Sequence, residues 1–278
     1  MNKILLIALL VSTYNLKGQD GFVRSYDLDK PGAFFSNLTL VEDTVAICGL
    51  IFPENPPFLQ AFLLLKTDTS GNVLEYSLTI DSAGHNFYLG NTPNGFIHLN
   101  DKSGYIITGG LFGPGVGVVI KLDNNGKLVW QKMYSDSLSL VDHYGDVIET
   151  EGGFLIVGNK QSLDYSNNLF VMKTDKHGKK IWEKAYGENN DRRDYFGSFL
   201  KINDNEYVIG SSTGDNQNVP WQQWQNTVKI FAIDSLGNEK WLGRAVHPKN
   251  FGSRACKKQT MEVGLMLLQG ESSSLMGT

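Results

Sequence analysis

The sequence predicts an all-β protein, a β-propeller or an open piece of one, with about four four-stranded antiparallel blades. Three observations predict it. An Asp-x-x-Gly phrase returns four times, at Asp68 and Gly71, Asp123 and Gly126, Asp175 and Gly178, and Asp234 and Gly237, its glycines 55, 52 and 59 residues apart. Strand-like runs of branched and aromatic residues flank every copy. No helix-period stretch of useful length interrupts them. A period near 50 residues is that of one supersecondary unit copied along the chain.

Within a unit the strands follow in order. The first is short and clearest in Asp146-Val147-Ile148-Glu149-Thr150 and Ser198-Phe199-Leu200-Lys201-Ile202. A turn such as Glu151-Gly152-Gly153 leads to the second, an apolar run ending in glycine: Thr44 to Gly49, Gly104 to Gly109, Gly153 to Gly158, and Glu206 to Gly210. Runs apolar on both faces belong between neighbouring sheets. The third strand (Phe62-Leu63-Leu64-Leu65 in the first unit) meets the Asp-x-x-Gly turn. There Asp bonds its own backbone two residues on, and Gly takes a positive φ. The fourth strand then returns, closing an outer hairpin. Blades are expected near residues 33–86, 87–137, 145–187 and 196–245.

Trp130, Trp182 and Trp241 each fall four residues after a turn glycine; the first unit has Glu75 there, with Tyr76 next. A large aromatic at a fixed place is what stacked units need, so these rings are expected to pack between blades.

The chain has 278 residues, 41% hydrophobic, with a net charge of −4. No Lys/Arg cluster stands out, which argues against nucleic acid and anionic membranes as partners. Met1-Asn2-Lys3 followed by an apolar run from Ile4 to Val11 reads as a signal peptide over residues 1–19, too short to span a bilayer. The expected destination is outside the cell or on its surface, with no transmembrane segment and no cysteine placed to carry a lipid. Cys48 and Cys256 are the two cysteines. One lies inside a blade strand and the other in an atypical tail, so no disulfide is expected.

The repeats account for residues 20–255. After Arg254 the next unit should begin, yet residues 256–278 lose the pattern. Read one base out of frame, the codons for Lys257 to Gly264 allow Lys-Thr-Asp-Asp-Gly-Gly-Trp, the missing start of a blade. The expectation is a frameshift that truncates a longer protein; without it, four blades close a small ring, whereas a lost part leaves an open arc.

Candidates for chemistry are few. The histidines His85, His98, His143, His177 and His247 form no metal spacing, and neither a metal nor a cofactor is expected. His143-Tyr144-Gly145-Asp146 opens one unit and is the most site-like cluster, but no nucleophile or second acid accompanies it. Asp191-Arg192-Arg193-Asp194-Tyr195 holds the corresponding place one unit later and reads as a solvated charged loop. Asp146 and Asp194 are the two acids to inspect. The Asp-x-x-Gly turns lack the oxygen ladder of a calcium loop. The Gly-rich stretch from Gly109 to Gly117 lacks the helix of a phosphate cradle. Trp221 and Trp224, among amides in a lengthened loop of the fourth unit, carry the chemistry of sugar or peptide contact.

The pattern from Gly152 to Gly187, Gly-Gly-Phe-Leu-Ile-Val-Gly followed by Met-Lys-Thr-Asp-x-x-Gly-x-x-Ile-Trp-Glu-Lys-x-Tyr-Gly, resembles the secreted propeller-repeat proteins of Bacteroidota. That family often carries a C-terminal sorting domain for type IX secretion, and none is read here; without it the product is expected to stay in the periplasm. The repeats are also similar to quinoprotein-type propellers, whose tryptophans dock blade to blade. The resemblance covers roughly residues 33–255 and implies a fold more than an activity.

The functional expectation is an exported, non-catalytic propeller scaffold, not an enzyme, that binds a protein or a glycan. The alternative is a propeller enzyme, quinoprotein-like or glycan-active, with acids at the channel mouth.

Overall fold

The computed structural model describes Tyr26 and residues 33–52, 60–80, 86–90, 92, 94–111, 115–135, 139–162, 167–186, 193–214 and 227–246. The expected signal peptide and tail, and the site candidates Trp221 and Trp224, lie outside them.

The described residues form a β-propeller of four antiparallel four-stranded blades. Blade one is β1 (Ala33–Val41), β2 (Thr44–Ile51), β3 (Ala61–Asp68) and β4 (Val73–Ile80). In blade two the first strand is split into β5 (Phe87–Leu89) and β6 (Phe96–His98), both paired with β7 (Tyr105–Leu111), followed by β8 (Gly117–Leu122) and β9 (Leu128–Tyr134). Blade three is β10 (Ser139–Thr150), β11 (Gly153–Ser162), β12 (Asn167–Asp175) and β13 (Lys180–Tyr186). Blade four is β14 (Arg193–Asn203), β15 (Glu206–Gly214), β16 (Thr227–Ile233) and β17 (Glu239–Val246). Among the described residues no helix is long and apolar enough to cross a membrane.

Alternate residues of each second strand serve opposite neighbours, which is why these runs are apolar throughout. Cys48, Leu50, Phe62 and Leu64 of blade one pack against Phe87, Phe96, Ile107 and Ile120 of blade two. Ile106 and Val119 turn the other way, onto Tyr144, Phe154, Ile156 and Phe170 of blade three. Leu155, Val157 and Val171 in turn meet Phe196, Phe199, Ile209 and Phe231 of blade four. Burial of apolar area on both faces of every inner sheet is the main force holding the array together. Cys48 is fully buried with a free thiol, whose pKa burial pushes up to about 12.

The four turns are built alike. In each, the Asp carboxylate accepts the amides two and four residues ahead (Ser70 and Asn72 on Asp68, Asn125 and Lys127 on Asp123, His177 and Lys179 on Asp175, Leu236 and Asn238 on Asp234). The glycines take φ of 79°, 76°, 76° and 74°, the left-handed region that a side chain resists. Trp130 packs on the blade-three core and Trp182 on the blade-four core, each covering the turn glycine of the next blade, Gly178 and Gly237 respectively. Trp241 is 39% exposed and gives its indole N–H to Glu206.

Candidate functional site at the propeller axis

The first strands gather round one axis: β6 lies against β1 and β10, and β10 against β14. Because each blade is an antiparallel meander, the beginnings of these strands and the connections from second to third strand share one end of the molecule. The Asp-x-x-Gly turns occupy the other.

Each first strand breaks register at the same point. The ladder shifts between Phe35 and Asn37, between Tyr144 and Val147, and between Phe196 and Ser198; in blade two the strand is interrupted outright after Leu89. Such a bulge bends the strand and re-aims the side chains beside it. Glycines of the second strands sit opposite the bulge. A Cβ on Gly49, Gly109 or Gly158 would meet the carbonyl oxygen of Phe34, Tyr88 or His143 at 2.4, 2.3 and 2.0 Å. The apolar runs of blades one to three therefore reach glycine where the bulge presses in.

One residue before the kink, all four blades carry a ring at the same register position: Phe34 opposite Leu50, Tyr88 opposite Gly110, His143 opposite Asn159, Tyr195 opposite Ser212. Phe34 is 55% and Tyr195 38% exposed; His143 is exposed and Tyr88 half-buried. The Tyr88 and His143 rings touch across the blade boundary, centroids 4.9 Å apart and tilted by 44°. Loss of hydration beside Tyr88 draws the His143 pKa below its ordinary value, favouring the neutral imidazole. The Gly-rich stretch makes room for rings: a Cβ on Gly110 would strike the Tyr88 phenol at 2.1 Å, and one on Gly117 the Tyr144 ring at 2.3 Å.

At the kink itself lies a belt of polar contacts between blades. Ser36 donates to the carbonyl of Gly90 at 3.0 Å, and the Asn37 amide donates to the same oxygen. The main-chain N–H of Asn94 donates to Asp146 at 3.0 Å, as does that of Phe199 at 3.1 Å; the Asn94 side-chain amide donates to the carbonyl of Phe199 at 3.2 Å. Three blades thus meet at one carboxylate. Asp146 has no exposed surface, and burial raises its pKa against the lowering effect of its donors. Asp194, one residue before Tyr195 in β14, has its carboxylate engaged within its own blade. Its carboxylate receives the Thr213 hydroxyl and pairs with Lys229 at 3.2 Å, while its carbonyl receives the amides of Asn159 and Asn167.

The two acids singled out in the sequence are not equivalents. By register Asp146 matches Ser198 and Asn37, whereas Asp194 matches Asp142. Sequence reasoning found His143 and Tyr195 only as members of charged clusters and missed Phe34, Tyr88 and Asn94. A signal existed: Phe34-Phe35-Ser36, Tyr88-Leu89-Gly90, His143-Tyr144-Gly145 and Tyr195-Phe196-Gly197 repeat one phrase, ring, apolar or aromatic, small. For Trp221 and Trp224 the described flanks are Gly214, paired with Arg193 near Tyr195, and Thr227. Among the described residues no three His, Cys, Asp or Glu side chains gather as a metal ion requires.

A propeller with a ring of aromatic side chains at one end of its axis is the class of protein that fold and site define. No protein-family model and no curated protein matches the chain. Solved structures do. It is similar to an α-L-arabinofuranosidase of Fusarium graminearum in complex with an iminosugar inhibitor, at 13% identity and TM-score 0.50, over 80% of this chain and 68% of that one. It is also similar to an α-L-arabinanase of Penicillium chrysogenum complexed with arabinobiose, at 8% identity and TM-score 0.51, over 80% and 67%.

These likenesses concern the fold, and they correct the functional expectation. A non-catalytic scaffold without enzyme activity was expected because the repeats were seen without a site. The two proteins it matches in fold are an arabinofuranosidase and an arabinanase, both enzymes, so the non-catalytic expectation is set aside.

Proposed function

We propose that the protein is a glycan-active enzyme, a glycoside hydrolase whose first substrate class to test is arabinose-containing polysaccharide. The observation that carries this is the four rings at one register position round the axis. Flat apolar faces beside hydrogen-bonding edges are the chemistry of sugar contact. The shared fold with an arabinofuranosidase and an arabinanase supports the class. The signal peptide read at residues 1–19 supports it too, since polysaccharides lie outside the cell.

Glycoside hydrolysis uses two carboxyl groups, one to protonate the leaving oxygen and one to act as base or nucleophile. Asp142 and Asp194 hold equivalent positions in neighbouring first strands, one residue before His143 and Tyr195. Substitution of each tests the proposal; Asp194 is itself held by Thr213 and Lys229. Asp146 is assigned to structure, because its oxygens are occupied by strand amides of two other blades.

The test is release of reducing ends from arabinan and arabino-oligosaccharides by the purified protein. Turnover is expected, with Asp142→Asn and Asp194→Asn reducing kcat at least a hundredfold and Tyr195→Ala raising KM about tenfold. Absence of both turnover and binding across arabinose-containing glycans would remove the proposal.

A further inference from the structure

We infer that the polar seam between blades three and four is the positioning device of the candidate site: Thr213 and Lys229 hold the Asp194 carboxylate, and Asn159 holds the strand on either side of Tyr195. The reaction they serve rests on the glycan reading; the departure of the seam from the rest of the array does not.

That departure is visible by register. Three positions near the ring end of each blade correspond: one in the first strand, the residue opposite it in the second, and the third-strand residue opposite the second-strand glycine. They are Ala33, Ile51 and Leu63 in blade one, and Phe87, Leu111 and Val118 in blade two. Blade three carries Asp142, Lys160 and Phe170 there, and Lys160 pairs with Glu183 of the outer hairpin. Blade four carries Asp194, Thr213 and Lys229, with Ser211 in place of the glycine. All four of these side chains are buried. The Lys229 Nζ lies 3.2 Å from Asp194 Oδ1, which also accepts the Thr213 hydroxyl.

Stability does not account for charge where the template has hydrocarbon. Taking a carboxylate and an ammonium out of water costs about what their attraction returns, and apolar residues of similar volume do as well or better. A chain departs from the rules of its own fold mainly at functional sites.

A second contact points to the same place. Asn159 stands opposite His143 in the ladder. Its side-chain amide donates to the carbonyl of Asp194 at 2.7 Å, and its oxygen accepts the main-chain N–H of Phe196 at 2.9 Å. One side chain of blade three thus pairs with the backbone on both sides of Tyr195, as a neighbouring strand would. Asn167 adds a second amide to the Asp194 carbonyl at 2.8 Å, where β12 and β14 pair in parallel, Asn167 opposite Arg193. Asp194 is fixed by carboxylate and carbonyl at once, and Tyr195 is fixed with it. Groups that meet a substrate need such support, because a shift of about 1 Å costs about a hundredfold in rate.

The experiment gives blade four the residues of blade one. Asp194→Ala, Thr213→Ile and Lys229→Leu together are expected to leave the denaturant midpoint of the full-length protein at or above the wild-type value. A lower midpoint would show the cluster to be an element of stability and overturn the inference. On whichever arabinose-containing glycan the wild type turns over, Lys229→Met is expected to lower kcat about tenfold or more with KM within about twofold. Asn159→Leu is expected to raise KM about tenfold with kcat within about twofold. Thr213→Val, which keeps the ion pair, is expected to lower kcat several-fold and stands in if Lys229→Met does not fold. Folded variants with unchanged kcat and KM would overturn the inference and leave the glycan proposal standing. If the wild type turns over no glycan, the glycan proposal fails alone, and the midpoint of the triple variant still decides whether the seam is kept for stability or for a site.

Discussion

Asp146 shows how a single residue binds three blades and what that costs. Its carboxylate is buried at the axis and accepts main-chain donors from blades two and four. Burial raises its pKa, so the folded protein holds this proton more tightly than the unfolded chain does. The stability this contributes is complete below about pH 4, the ordinary Asp value, and is lost as pH climbs through the raised value. Thermal melts across that range should therefore show the wild type losing stability relative to Asp146→Asn as pH rises; a constant difference between the two would refute it. His143 works in the opposite sense. Its pKa is lowered by desolvation, so its contribution is present above about pH 6.5 and lost as pH falls through the depressed value. His143→Gln should abolish that acid-side loss. Gly158 is set by sterics instead. A methyl there meets the His143 carbonyl at 2.0 Å, so Gly158→Ala is expected to destabilise by roughly 1–3 kcal/mol, read from the denaturant midpoint.

At the level of the strand, the outer hairpin is the clamp between neighbours. β13 puts the Trp182 ring, near its start, against Gly237 and the Tyr186 hydroxyl, at its end, on the Gly237 carbonyl. Burial raises the Tyr186 pKa, so the phenol stays a donor at any ordinary pH. Tyr186→Phe should cost about 1 kcal/mol, the usual net worth of one hydrogen bond, with the denaturant slope unchanged. Trp182→Ala should cost more, because it also removes apolar contact with the blade-four core. Equal losses for the two variants would mean that the ring contributes little and the hydroxyl carries the clamp. The first strands are the counterpart at the axis. Their common bulge holds a ring on one side and a polar contact at its centre, so one backbone irregularity builds both the exposed positions and the belt beneath them.

Across the whole molecule, stability is a sum over neighbouring interfaces. Phe231→Ala, at the boundary of blades three and four, is expected to cost about 3–5 kcal/mol. Hydrogen exchange should then rise first in β11 and β15 and last in β2 and β3, two interfaces away. Simultaneous loss of protection in every blade would show that the propeller unfolds as one unit. At the axis the first strands of the four blades lie side by side, bringing near one another residues that no single blade holds.

The blades, their strand order and the Asp-x-x-Gly turns were legible in the sequence because they are local. Alternation, turn chemistry and the fixed offset of Trp130, Trp182 and Trp241 each lie within one repeat. The candidate site was not. Phe34, Tyr88, His143 and Tyr195 are about 50 residues apart along the chain, and read singly each is an ordinary ring in a strand. Only the stacking of sheets round a common axis brings them to one end, and only the ladder register shows that Asp146 answers to Ser198 while Asp194 answers to Asp142. Sequence alone determined the unit, since hydrogen bonding and side-chain alternation act between near neighbours. Tertiary structure decided the site, since that depends on which faces meet when the units pack.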